Sequence, residues 1–91
     1  MWTDLIKKHI QDEIAYSPKM KAHLMGLVDN TPAADPDGFF NGMISKINAS
    51  PFRSRELAKW LGRVRYHWNL EKAKVPGQEL ALLQQIIEGK V

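Results

Sequence analysis

The sequence holds no cysteine. Disulfide scaffolds and thiolate metal sites are excluded, nothing argues for an oxidising compartment, and a cytoplasmic location is the expectation. No apolar run approaches the roughly 20 residues that a membrane-spanning helix needs. The opening Met1-Trp2-Thr3-Asp4 brings an acid early and has no continuous apolar core, so a signal peptide is not expected. Catalytic signatures are missing as well. There is no Gly-x-Ser-x-Gly, no phosphate-cradling glycine-rich loop and no His-Glu-x-x-His run. Neither enzymatic activity nor a cofactor is therefore expected. Nothing alternates apolar with polar over the length of a strand, β-branched residues are scarce, and no segment repeats.

What is present is helical periodicity. The 91 residues make one domain, which buries about 60–65% of its unfolded surface. That suffices for one core and leaves little room for a deep enclosed site. Thr3 reads as a helix cap, and Leu5, Ile6, Ile10 and Ile14 give an apolar stripe over residues 3–16. Ser17-Pro18 restarts the chain as cap plus first helical residue. Met20, Leu24, Leu27 and Val28 make the second stripe, over 18–29. Residues 29–38, rich in Pro and Asp, read as a mobile loop. Asp35-Pro36 repeats the cap signature, and Phe40, Met43, Ile44 and Ile47 mark a third helix over 36–48. A fourth spans about 52–74, starting at Pro51 or at Arg55. Leu80, Leu83 and Ile87 mark a fifth over 77–88, after Val75-Pro76-Gly77. The fold expected is all-α, a single compact domain of four to five helices in orthogonal or bundle-like packing.

The fourth helix organises the rest. Leu57, Leu61, Val64 and Trp68 form its buried face. At about 100° per residue, Arg55, Lys59, Arg63 and Tyr66 fall on the opposite side, with His67 at the edge. Charge is unevenly spread. Residues 1–45 hold four Lys against six acids, while residues 46–91 hold nine Lys or Arg against four Glu. All four arginines lie between Arg53 and Arg65. Arginine suits planar partners such as phosphate or carboxylate, and a charge asymmetry of this kind speaks to partners. The candidate binding residues are Arg53, Arg55, Lys59, Trp60, Arg63, Tyr66 and His67. As phosphate contacts they would release counterions, with Tyr66 stacking on an unpaired base. An acidic protein would fit the same face, and a merely solvated helix face has the same pattern.

Within this helix, Ser54-Arg55-Glu56-Leu57-Ala58-Lys59-Trp60-Leu61-Gly62 resembles the first helix and turn of a helix-turn-helix DNA-binding motif. Leu57, Ala58, Leu61 and Gly62 stand at that family's offsets. Arg63 and Glu71 stand where it usually has apolar residues, and no clear cap follows Gly62. A helix continuous through Gly62 is the other reading.

Trp68 falls in the apolar stripe and is expected in the core. Trp60 lies between stripe and strip, either as an interface anchor or as a half-buried edge of the core. His9 and Glu13, one turn apart, and His23 on the next helix have the spacing of a surface pair more than of a zinc site. No metal is expected. Two functions follow. One is a small non-enzymatic regulator or accessory factor that uses the basic face on nucleic acid. The other is a protein–protein adaptor or inhibitor using the same basic and aromatic surface.

Overall fold

Proline and its preceding cap set two of the helix starts. The computed structural model describes residues 1–90. Among these there are five α-helices and no strand, and helix takes up 72% of the chain. Helix α2 runs Pro18–Asp29, with the Ser17 hydroxyl accepting from the Met20 N–H at 3.1 Å. Helix α3 runs Pro36–Asn48, with the Asp35 carboxylate accepting from the Gly38 N–H at 3.1 Å. Helix α4 runs Arg55–Glu71 from a Ser54 cap, so its start is at Arg55 and not Pro51. It is unbroken at Gly62, which excludes the turn of a helix-turn-helix there. A short 3-10 turn, Lys72–Lys74, extends it. Gly77, at φ +83°, then makes the turn that β-carbon-bearing residues resist. Helix α5 runs Glu79–Ile87.

Helix α1 departs from its expected bounds. It runs Trp2–Asp12, so Thr3 is inside it and not its cap. Trp2 is 3% exposed and meets Phe39 edge-on at 4.9 Å. Burying a tryptophan in an aromatic cluster outweighs a hydroxyl cap at Thr3. At the other end the chain leaves the helix at Glu13, which is extended. Ile14, expected in the stripe, is 95% exposed. With Ser17 fixed as the next cap, the residues between must make the turn, and Tyr16 is drawn to a 2.8 Å hydrogen bond with Ser54. The Lys21 ammonium donates to the Gln11 carbonyl at 2.6 Å, at the open end of α1. Asp29 pairs with Lys7, so α2 doubles back along α1.

Each helix packs on its neighbours in the chain, and α5 returns to α1 to close the ring. The enclosed core joins Ile6, Ile10, Leu24, Phe39, Phe40, Met43, Ile47, Leu57, Leu61 and Leu83. Trp68 is in the core as expected, and its indole N–H donates to the Glu79 carbonyl at 2.8 Å, tying α4 to α5. The α5 stripe is Leu83, Ile86 and Ile87; Leu80, expected in it, is 52% exposed. Leu80 lies in the first turn of α5, at the edge of the face that packs on the core. Of residues 29–38, read as a mobile loop, Asp29 ends α2 and 36–38 open α3, and the connection between them is held at its start. Thr31 is buried and donates to the Leu27 carbonyl at 2.6 Å, while Lys46 reaches the Asn30 carbonyl at 2.7 Å. The molecule measures 39 × 22 × 20 Å. At about 1.5 Å per residue, α4 is roughly 25 Å long, well over half the longest dimension.

Candidate nucleic-acid interface

The outer face of α4 carries most of the candidate binding residues. Its inner face is fixed by Leu57, Leu61, Val64 and Trp68, all buried. Helical geometry then turns Arg55, Lys59, Arg63 and Tyr66 outward, and all four are exposed. Successive cations on this strip stand one turn apart, about 6 Å along the axis.

The cations elsewhere in the protein are mostly spoken for. Lys7, Lys8, Lys72, Lys74 and Lys90 pair with Asp29, Asp12, Asp37, Glu71 and Glu88. Lys21 and Lys46 donate to backbone carbonyls. Among the described residues, only Lys19, Arg53, Arg55, Lys59, Arg63 and Arg65 have no such partner. All but Lys19 lie in and just before α4. The strip's positive charge is therefore not neutralised internally. Glu56 is the acid on its border, and it forms no ion pair among the described residues.

A groove of about 530 Å³ lies along this face, lined by Lys59, Gly62, Arg63, Tyr66, His67 and Leu70. It brings together four of the seven candidate binding residues, Lys59, Arg63, Tyr66 and His67. Arg55 stands at the head of the same strip, outside the groove. Arg53 is exposed in the connection before the helix. Trp60 is elsewhere: its ring stacks on His9 at 3.6 Å and 5° between planes. One face of Trp60 is thus covered from within, by α1. Leu70, 58% exposed, is a groove residue that the sequence does not single out. It lies one turn beyond Tyr66, and extending the 55–59–63–66 pattern by four residues finds it.

Gly62 also takes on meaning here. A β-carbon added there would meet nothing within 4 Å. No packing within the protein requires glycine at this position, and helix propensity opposes it. Gly62→Ala should therefore raise stability by about 0.5–1 kcal/mol. Thermal unfolding checks this. A lowered midpoint would mean that Gly62 is not in open, regular helix.

The remaining candidate ligands are engaged in structure. The Ser50 hydroxyl accepts from the Phe52 N–H at 3.0 Å and lies 2.6 Å from His23 Nε2. Among the described residues, no three His, Asp or Glu side chains converge on a possible metal position. His9 is held against Trp60, and this burial pushes its pKa below 6.5, with Glu13 and Asp12 pulling weakly the other way. The unfolded chain then binds more protons than the folded one as pH falls below about 6.5. Stability is full above that value and declines as pH falls towards the folded pKa. The thermal midpoint should drop between pH 7.5 and pH 5 by less in His9→Phe, which keeps a ring on Trp60 but cannot titrate. Equal drops would contradict the assignment.

No helix among the described residues is long and apolar enough to cross a membrane. Compared with protein-family models, with curated proteins and with solved structures, the chain matches none.

Proposed function

We propose that this is a small, non-enzymatic regulatory or accessory protein that binds nucleic acid through the outer face of α4. The observation that carries the reading is the strip of Arg55, Lys59 and Arg63, exposed and without acidic partners among the described residues, with Tyr66 beside it. Arginine and lysine at one-turn intervals offer charge-assisted hydrogen bonds to successive phosphates, and each such bond releases condensed counterions. Several titratable groups away from the strip are engaged within the protein. Asp37 accepts from Asn69 at 2.8 Å and faces Lys72 at 3.7 Å. Glu79 accepts from the Gly77 N–H at 2.9 Å, and backbone hydrogen bonds hold its carboxyl below the ordinary range. Such engagement favours a binding protein over an enzyme. A chain free of cysteine suits a reducing compartment, so the cytoplasm is its proposed place.

A titration against duplex DNA, single-stranded DNA and RNA at several salt concentrations tests the reading. Three neutralised phosphates give a log–log slope of about −2 to −3. No binding to any of them at low salt would sink the proposal. The second reading would then stand: an adaptor or inhibitor that meets an acidic protein. Its supporting observation is Leu70, which gives the basic strip an exposed apolar end beside Tyr66. Protein interfaces combine such an apolar centre with a charged rim.

A further inference from the structure

The geometry points to a base-stacking slot at Gly62 and Tyr66, which makes the preferred ligand single-stranded nucleic acid. This deepens the nucleic-acid reading and rests on it.

Side chains on a helix lean towards its N-terminus, so Tyr66 leans back over the turn that contains Gly62. Gly62 has no side chain to occupy that space, and nothing else in the protein approaches it within 4 Å of a built β-carbon. Both residues line the same shallow, open depression along α4, which leaves room for a planar base against the Tyr66 ring. Tyr66 is 68% exposed. Among the described residues its ring stacks on no other ring, and its hydroxyl has no hydrogen-bond partner. Trp60, by contrast, already has His9 against its face. Tyr66 is thus the aromatic of α4 with a free face. Lys59 and Arg63 flank the slot, one turn apart and unpaired, and Arg55 continues the line. An anionic backbone following those cations would bring a base to Tyr66. In a duplex the base faces are stacked on one another, so an open aromatic face has no use for one. A single strand offers both the phosphates and the free π-face, and stacking is tolerant of sequence.

The test uses fluorescently labelled strands about 12 nucleotides long. They are oligo-dT, oligo-U, an abasic strand of the same length, and a duplex. Wild type should bind the base-bearing single strands more tightly than the abasic strand or the duplex. Tyr66→Ala should weaken single-strand binding about 5- to 100-fold, to the abasic level, with the salt slope unchanged. Tyr66→Phe should restore it. Gly62→Leu fills the slot with a better helix former, so its loss of binding would not reflect unfolding. Comparing oligo-dT with oligo-U separates the DNA and RNA sources of the same chemistry. Equal affinity for abasic and base-bearing strands, or tighter binding of the duplex, would overturn the slot and leave the phosphate strip standing. Failure to bind any strand would overturn both, and capture of an acidic protein by the same face would replace them.

Discussion

Reversing Arg55, Lys59 and Arg63 to Glu together should remove nucleic-acid binding and leave the helical fold intact. The fold is expected to survive because all three side chains are exposed and, among the described residues, none is in an ion pair. Substitutions at such positions usually stay within about 0.5 kcal/mol each, and Glu matches Arg and Lys in helix propensity. Binding responds differently. A hydrogen bond to a charged group contributes about 1.5–3 kcal/mol, and about 1.4 kcal/mol is tenfold in affinity. Removing three such bonds therefore weakens binding by about a thousandfold or more, before the repulsion between the new carboxylates and phosphate is counted. The slope of affinity against salt should flatten by about 0.9 for each duplex phosphate that no longer meets a cation. Far-UV circular dichroism beside the titration separates loss of site from loss of structure. Undiminished binding by the variant would move the site off this face.

The largest effect on stability is expected one residue before Gly62. Leu61 is fully buried in the middle of α4, while Gly62 beside it is open to the groove. Leu61→Ala leaves a cavity between helices that cannot fully collapse, and such changes cost about 2–5 kcal/mol. A domain of this size is stable by only about 5–15 kcal/mol in total. At about 4–8 °C per kcal/mol, the thermal midpoint should fall by roughly 10–30 °C. Gly62→Ala, its neighbour, should move the midpoint the other way. An unchanged midpoint in Leu61→Ala would mean that the wrong face of α4 has been assigned to the core, and the strip would fall with it.

Where a proline follows the cap, local chemistry and structure agree. Ser17-Pro18 and Asp35-Pro36 fix the starts of α2 and α3 because cap and proline act within one turn. The core face of α4 follows from periodicity alone, and so does the outward strip. The places where sequence and structure part are those decided at a distance. Thr3 loses the cap because Trp2 is held in the core against Phe39 on α3, and Ile14 is shed where Tyr16 bonds Ser54. Leu80 has the spacing of a core residue, but the α5 residues that become buried are Leu83, Ile86 and Ile87. For the site, a sequence counts the cations but not which of them are neutralised. That Lys72 serves Asp37 while Arg63 serves nothing is a three-dimensional fact. That Trp60 has one face covered by His9 is likewise a three-dimensional fact. Gly62 has the offset of a helix-breaking turn, and only a continuous α4 with open space above it turns it into the floor of a groove.

The central claim is that nucleic acid meets the outer face of α4, and a backbone-amide NMR titration tests it most directly. On adding a single-stranded oligonucleotide at low salt, the amides of Arg55, Lys59, Gly62, Arg63, Tyr66 and Leu70 should shift together and saturably. The shifts should shrink as salt rises, as screening and counterion competition require. Amides of Ile6, Leu24 and Met43, in the core of the other helices, should stay in place. Shifts confined to the α1–α2 side, or none at any concentration, would contradict the assignment of this face.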